Sequence, residues 1–176
     1  MDLAARPIAP DPYDMLPRVP SFPVTSIDFS DHGPIPIRHS GEGEHLSPGL
    51  SWSGFPPETR SFLISCFDPD APTPAGFWHW TVVNLDPTVT ELLPGAGSRD
   101  DLLPPGAFHL GNDGGGLSYT GPMPPRGDRA HRYYFAVHAL DIDDLGLDSS
   151  ATPTRAAFTI LGHTIARGVL VGTYQR

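Results

Sequence analysis

Two apolar runs of strand length lie near the middle of the chain, on either side of a proline-rich turn. The first run covers residues 62–67 and the second covers residues 80–85. Both are rich in β-branched and aromatic side chains and are bounded by turn-forming residues, a pattern typical of strands. We therefore predict two strands, with the polar residues of the segment between them placed at strand ends.

Alternation of residue types predicts further strands. Residues 131–140 alternate, with Arg132 and Tyr134 on one face and Tyr133 and Phe135 on the other. Residues 24–29 predict a short strand, and residues 34–37 contain prolines that suit a sheet edge. Residues 46–56 alternate before a turn, whereas residues 88–128 show no clear periodicity.

Only the C-terminal region has helical spacing. Thr152 is placed as an N-cap, Pro153 lies in the first turn, and Gly168 is expected to end the helix. The apolar residues between them recur at helical intervals: Ala156, Ala157, Ile160, Leu161 and Ile165. A final strand is predicted over residues 169–174. Many short strands with one late helix predict a mainly β protein, an antiparallel β-sandwich with a peripheral C-terminal helix.

The first 22 residues predict an extended arm ahead of a single domain over residues 23–176. Prolines at positions 7, 10, 12, 17 and 20 are incompatible with a long helix. The apolar residues Leu3, Tyr13, Met15 and Leu16 can dock on the domain itself or on a second subunit, and we expect a homodimer. The segment has the pattern of neither a signal peptide nor a membrane helix, so the expected location is the cytoplasm.

Composition narrows the class of partner. The net charge of −9 disfavours binding to nucleic acid and to anionic membrane surfaces. An anion must therefore bind in a local concave site. Glycine and proline are abundant, at 19 and 22 residues, which raises disorder as an alternative, but 9 Phe, 5 Tyr and 3 Trp favour a folded protein. The single cysteine, Cys66, excludes an internal disulfide.

The turn after the first run carries candidate chemistry. Asp68 and Asp70 are two positions apart, which on an extended segment points both side chains to the same side. Alternatively, each aspartate caps its own turn. His79 follows in an aromatic context, where it is either a core residue or the partner of one of the acids.

A second cluster lies further along the chain. Gly121 and Pro122 belong to a loop that can expose backbone amides, and His131 opens a predicted strand. Two histidines, two acids and this loop suggest a pocket for a small anion, in which imidazoles and amides donate to phosphate oxygens while the acids orient the imidazoles. A metal held by Asp68, Asp70, His79 and His131 is the alternative, although no histidine spacing typical of metal sites occurs. No G-x-S-x-G motif supports hydrolysis, and no cofactor is expected.

Several blocks in order resemble the phosphatidylethanolamine-binding protein family, in particular its bacterial branch of Raf-kinase-inhibitor-like proteins. The blocks are Ser47-Pro48-x-Leu50-x-Trp52, Asp68-Pro69-Asp70-Ala71-Pro72, Trp78-His79-Trp80 before Val82-Val83-Asn84, Tyr119-x-Gly121-Pro122-x-Pro124-Pro125, His131-Arg132-Tyr133 and Gly172-Thr173-Tyr174. The resemblance implies an antiparallel Greek-key β-sandwich with a small surface cavity for phosphate, phosphorylated headgroups or carboxylates.

The resemblance also implies which residues form the pocket. By motif position they are Asp68, Asp70, His79, His131 and Tyr133, with Gly121 and Pro122 in the wall and Trp78 as a neighbour. The implied function is non-catalytic binding of a small anionic ligand, without nucleic acid binding or stable membrane insertion. The alternative is an inhibitor or regulator of a protease or kinase, and a hydrolase is the third possibility.

Overall fold

A computed structural model describes residue 3 and residues 5–176 of the chain. Within these residues the strands are, in chain order, β1 (Val24–Thr25), β2 (Gly33–Pro34), β3 (Leu50–Trp52), β4 (Ser61–Asp68), β5 (Phe77–Leu85), β6 (Glu91–Leu92), β7 (Phe108–His109), β8 (His131–Leu140) and β9 (Thr164–Tyr174). An α-helix, α1, covers Pro153–Thr159, and short 3-10 helices cover Ile37–His39, Ala96–Ser98, Asp100–Leu102 and Ile160–Gly162.

The strands form two sheets that share one core. The larger sheet has the order β2-β9-β8-β4-β5-β7, and the smaller has the order β1-β3-β6. Neighbouring strands are antiparallel except for β2 and β9, which are parallel. Buried residues of both sheets meet between them, for example Trp52 and Phe62, whose ring centres are 5.6 Å apart. The predicted mainly β sandwich with a peripheral helix is confirmed.

We call the side of the larger sheet that packs on the smaller sheet its inner face, and the opposite side its outer face. The outer face is covered as well, because Ala156 and Ile160 pack against Leu63, Val83 and Leu140 in a second apolar cluster. Burial on both faces explains why the alternation in β8 is between two sets of largely apolar residues and not between apolar and charged ones.

Helix α1 begins where the sequence predicts and ends earlier. The Thr152 side chain caps it by accepting a hydrogen bond from a backbone N–H of the first turn at 3.1 Å, and Pro153 follows it. The prediction that the helix continues to Gly168 is wrong, because β9 begins at Thr164. No helix in the described part of the chain is long and apolar enough to cross a membrane.

Gly168 has a different role from the one expected. It lies in the middle of β9, where a Cβ atom would come within 2.4 Å of Cγ2 of Val24 and 2.7 Å of the carbonyl oxygen of Phe22. The absence of a side chain therefore allows the segment that leads into β1 to cross the sheet closely.

Three other strand boundaries differ from the predicted ones. The strand expected over residues 24–29 is limited to Val24–Thr25, and the extended piece expected at 34–37 is the edge strand Gly33–Pro34. Strand β5 begins at Phe77 and not at residue 80. His79 consequently lies within a strand, whereas the sequence placed it before one.

The N-terminal arm lies on the outer face of its own sheet. The ring of Tyr13 packs edge-on against Tyr134 and His138, with ring centres 6.3 and 5.8 Å apart. Nη2 of Arg132 also donates to the carbonyl oxygen of Ala9 at 2.7 Å. These contacts are made within one chain, so the homodimer stays a prediction, as does the division into residues 1–22 and 23–176.

Candidate functional site

The candidate site lies where three neighbouring strands of the larger sheet come together at one end. Strand β4 ends at Asp68, and its antiparallel neighbours β5 and β8 begin at Phe77 and His131. A cavity of about 330 Å³ opens beside these strand ends. Of the eight residues expected from the sequence, those that line it are Asp68, His79, Gly121, His131 and Tyr133.

Asp68 both caps its turn and binds a histidine. Its Oδ1 accepts a hydrogen bond from the backbone N–H of Asp70 at 2.8 Å, while its Oδ2 accepts one from Nδ1 of His131 at 2.8 Å. The side chain is buried. The two interpretations offered by the sequence, a turn cap and a histidine partner, therefore both apply to Asp68.

His131 is held between two carboxylates. Its Nδ1 faces Asp68, and its Nε2 lies 3.1 Å from Oδ2 of Asp128. Burial alone would lower the pKa of His131, but hydrogen bonds and charge from Asp68 and Asp128 outweigh it and raise this pKa above its ordinary value. Both ring nitrogens of His131 therefore face carboxylate oxygens within the protein, and the raised pKa favours the protonated ring. The expectation that it donates directly to a bound anion is not met by this geometry.

Asp128 is the residue that completes this arrangement, and the sequence reasoning missed it. Burial alone would raise its pKa, but hydrogen bonds from His131 and Arg6 outweigh burial and lower the pKa of Asp128 to about 2. Nη1 of Arg6 donates to Oδ2 of Asp128 at 2.8 Å. The spacing of three residues between Asp128 and His131 was a usable signal, whereas nothing in the arm marked Arg6.

Asp70 points away from the cavity. It forms a two-point ion pair with Arg132, whose Nε and Nη2 donate to its two carboxylate oxygens, each at 2.8 Å. Burial alone would raise the pKa of Asp70, but the hydrogen bonds and charge of Arg132 outweigh it and lower this pKa. The expectation that Asp68 and Asp70 face the same side is wrong, because β4 ends at Asp68 and Asp70 belongs to the following turn.

His79 faces a backbone carbonyl and not an acid. Its Nδ1 donates to the carbonyl oxygen of Thr120 at 2.8 Å, which leaves Nε2 without a partner among the residues that the structure describes. Burial is the largest influence and lowers the pKa of His79, outweighing the opposite effects of Thr120 and Asp68. The lowered pKa favours a neutral imidazole, which carries an acceptor at Nε2. The His79–aspartate pair suggested by the sequence does not form.

Tyr133 brings an unpaired hydroxyl group to the cavity. Its side chain is buried, and its oxygen has no hydrogen-bond partner in the described part of the chain. Burial raises the pKa of Tyr133 strongly, with Asp68 adding to the effect, so the hydroxyl group stays protonated. The ring centres of His79 and Tyr133 are 5.1 Å apart. The free hydroxyl group and the free imidazole nitrogen thus belong to neighbouring side chains of one cavity.

The loop that contains Gly121 forms one wall of the cavity, and its backbone packs closely against the backbone of residues 39–40. The N–H of Gly121 donates to Nδ1 of His45 at 3.0 Å, and a Cβ atom on Gly121 would lie 2.5 Å from the carbonyl oxygen of His39. His45 lines the cavity and was not found from the sequence. Pro122 is buried behind the wall, where its carbonyl oxygen accepts a hydrogen bond from Gly41, and it does not line the cavity.

Trp78 lies on the other side of the sheet. Its ring packs against Phe67 with ring centres 4.5 Å apart, and it lines a second cavity on the outer face. The expectation that it neighbours the pocket is wrong, because consecutive residues of a strand face opposite sides and His79 already faces the site.

Metal binding finds no support in this arrangement. Within residues 5–176 and residue 3, no group of three or more His, Cys, Asp and Glu side chains is arranged to hold a metal ion. The four residues considered as ligands are engaged elsewhere: His131 and Asp68 with each other, Asp70 with Arg132, and His79 with a carbonyl oxygen.

Comparison with known proteins gives a consistent result. Residues 25–175 match the model of the family described as phosphatidylethanolamine-binding protein. The UPF0098 protein YbhB of Escherichia coli K12 is 39% identical over 156 residues, covering 85% of this chain and 98% of that protein. The UPF0098 protein YbcL of the same organism is 40% identical over 161 residues, covering 88% of each chain.

Solved structures agree with the sequence comparisons. The crystal structure of E. coli YbcL, described as a new member of the mammalian PEBP family, superposes with a TM-score of 0.85 at 39% identity and covers 88% of this chain and 98% of that one. A putative phosphatidylethanolamine-binding protein homologue from Chlamydia trachomatis, CT736, gives a TM-score of 0.77 at 36% identity, with 89% and 98% covered.

Proposed function

The chain belongs to the phosphatidylethanolamine-binding protein family, and we propose that it is a non-catalytic binding protein whose cavity takes a phosphate or a phosphorylated headgroup. The observation that carries this proposal is the pair of unpartnered polar groups in the cavity, Nε2 of His79 and the hydroxyl group of Tyr133. A buried polar group is normally hydrogen-bonded, so the buried hydroxyl group of Tyr133, with the imidazole of His79 beside it, favours a polar ligand in the cavity.

A phosphate group matches the chemistry of these two atoms. The hydroxyl group of Tyr133 can donate to a phosphate oxygen, and Nε2 of His79 can accept the proton of a hydrogen-phosphate group or become protonated beside the anion. His131 also lines the cavity, and its raised pKa favours the positively charged form, which attracts an anion. The carboxylate of Asp68 is already bound by an N–H at each oxygen, which reduces its repulsion of the ligand.

The same geometry argues against catalysis. Asp68 and His131 form the acid–histidine pair of a general base, but the remaining nitrogen of His131 faces the carboxylate of Asp128 and not a nucleophile. His79 is oriented by a carbonyl oxygen and has no hydroxyl or thiol group bonded to Nε2 among the described residues. Among the described residues neither histidine is therefore paired with a nucleophile of the protein, whereas the cavity can hold a ligand.

Calorimetric titration with inorganic phosphate and with phosphoethanolamine tests the proposal. We expect Tyr133→Phe, which removes only the free hydroxyl group, to weaken binding by about tenfold. We expect His79→Ala to abolish binding, and also His131→Ala, provided that this variant folds. His163→Ala is the matched control, because His163 pairs with Asp141 on the surface at the far end of β8. Wild-type affinity in both His79→Ala and Tyr133→Phe would overturn the pocket assignment.

A further inference from the structure

A second cavity lies on the outer face of the larger sheet. It has a volume of about 170 Å³ and is enclosed by the N-terminal arm, the sheet and the helical segment near the C-terminus. Tyr13 and Leu16 come from the arm, Leu63 and Trp78 from the sheet, and Ala157 from α1. None of its lining residues lines the cavity at the strand ends, so the sheet separates the two cavities.

Four polar side chains of this second cavity contact one another in one corner: Tyr13, Ser65, His138 and Arg167. Nε of Arg167 donates to Nδ1 of His138 at 3.3 Å, and the guanidinium carbon lies 4.8 Å from the centre of the Tyr13 ring. The hydroxyl group of Tyr13 lies 3.5 Å from Oγ of Ser65, at the long limit for a hydrogen bond. The remaining wall is mostly aliphatic and aromatic. The cavity thus has an apolar body and one polar corner.

Arg167 carries a positive charge and forms no ion pair with the described residues. Among the residues that the structure describes, no carboxylate lies within 4.0 Å of its guanidinium group. Asp11 is close enough to influence Arg167, but its Oδ1 accepts a hydrogen bond from the backbone N–H of Tyr13. Burial, and then the charge of Arg167, lower the pKa of His138 to about 3, so His138 is neutral. A partly buried cation without a directly paired carboxylate is costly, and a bound anion would relieve that cost.

We propose that this outer cavity is a second binding site, for a small carboxylate with an aromatic or branched aliphatic body, and that Arg167 pairs with the carboxylate group. A guanidinium group matches a carboxylate through two parallel N–H groups. The hydroxyl group of Tyr13 can add a third donor, because burial raises the pKa of Tyr13 to about 12 and keeps it protonated.

The size of the cavity limits the ligand. An apolar cavity of about 150 Å³ accepts a molecule of the size of benzene, so a body of about six to eight carbon atoms fits. The apolar wall also distinguishes this site from the one at the strand ends. A phosphate dianion would have to lose its hydration against hydrocarbon with one cation to balance it, whereas a carboxylate carries a single charge and an apolar remainder that the wall can bury.

Benzoate and benzyl alcohol are suitable probes, because they share the ring and differ in charge. Titration of the full chain should show binding of benzoate to one site, and weaker binding of benzyl alcohol. Arg167→Gln should weaken benzoate binding by about tenfold or more and change that of benzyl alcohol by less than about twofold. Ala157→Leu, which fills the cavity from α1, should prevent binding of both probes.

The position at which benzoate binds is tested separately from its affinity. Binding should shift the NMR resonance of the Trp78 indole N–H, and saturating inorganic phosphate should not displace benzoate. Ala157→Leu and this resonance carry the test if Arg167→Gln fails to fold. No benzoate binding at millimolar concentration, equal affinity for the two probes, insensitivity to both substitutions, or displacement by phosphate would each overturn the proposal. Because the two cavities share no residue, this proposal can fail while the phosphate site stands, and the reverse also holds.

Discussion

Arg6 and Asp128 form an ion pair of 2.8 Å across 122 positions of the chain, and this pair joins the N-terminal arm to the candidate site. The same oxygen of Asp128 lies 3.1 Å from Nε2 of His131. Arg129 strengthens the attachment by donating to the carbonyl oxygens of Arg6 and Pro7 at 2.6 and 2.8 Å. The arm therefore supports one of the two carboxylates that raise the pKa of His131.

Removing the charge of Arg6 should loosen this attachment. In Arg6→Gln, Asp128 retains only His131 as a charged partner, and we expect the free energy of unfolding at pH 7 to fall by about 1–3 kcal/mol. Urea denaturation provides the measurement. Arg18→Gln is the control, because Arg18 lies exposed on the same arm. Equal stability of the two variants would show that the ion pair contributes nothing.

Acid should destabilise the protein through Asp128. The pKa of this carboxyl group is about 2 in the folded protein, below its ordinary value of 3.8. A lowered pKa contributes stability that is complete above the ordinary value and is lost as the pH falls through 3.8 towards 2. We expect Asp128→Asn to be less stable at pH 7 and to lose less stability between pH 5 and pH 2 than the wild type. Denaturant titrations at these pH values measure the free energy of unfolding of both proteins. An equal loss of stability in the variant and the wild type would contradict this prediction.

Ligand affinity should depend on pH through His79. Burial lowers the pKa of His79, whereas a bound anion favours the protonated imidazole, so binding should take up a proton. We expect affinity to fall as the pH rises from the lowered pKa of His79 in the free protein towards its higher pKa in the complex. Calorimetry with sulfate, whose charge is constant in this range, in buffers of different ionisation enthalpy measures the proton uptake. A flat profile without uptake would leave Tyr133 as the principal donor and exclude a charged His79.

Gly121 should be intolerant of a side chain. A Cβ atom there would lie 2.5 Å from both the carbonyl oxygen of His39 and the carbonyl carbon of Ser40, and backbone atoms cannot rotate out of the way. We expect Gly121→Ala to destabilise the fold by about 1–3 kcal/mol and to weaken phosphate binding by displacing the loop wall. Gly111→Ala, where a Cβ atom meets nothing within 4 Å, is the control. Calorimetry and thermal unfolding of both variants give the comparison.

The homodimer is best tested by removing the arm. Exchange of an identical segment between two copies is a simple route to a dimer, and the arm makes its contacts through exposed and partly buried residues. We expect light scattering to give a dimer mass for the full chain and a monomer mass for a chain without residues 1–20. A monomer mass for the full chain would contradict the prediction.

Local patterns predicted the local features of this site. The strands at residues 62–67 and 131–140 followed from residue type and alternation, and they placed Asp68 and His131 at strand ends, where they meet. The opposite orientations of Trp78 and His79 also follow from strand geometry, once the strand is known to begin at Phe77. The sequence did not predict that β5 begins at Phe77, because the aromatic residues before residue 80 are as compatible with a loop as with a strand.

Contacts between segments that are far apart in the sequence could not be predicted from local sequence patterns. The attachment of Arg6 to Asp128 depends on where an arm without periodicity crosses the sheet. Gly168 shows the second difficulty: a glycine after a helical pattern indicates a helix end, yet here it makes room for Phe22 and Val24. Only the packing of one segment on another distinguishes these two uses of the same residue.

Strand β9 has a consequence for synthesis on the ribosome. It is second in the order of the larger sheet and pairs with β8 along most of its length, yet it is formed by residues 164–174, after every other strand. A nascent chain that ends before Thr164 therefore presents the whole edge of β8 unpaired, together with apolar residues on both of its faces. Such an intermediate is prone to aggregation, so we expect its productive folding in cells to depend on chaperone protection until β9 has emerged.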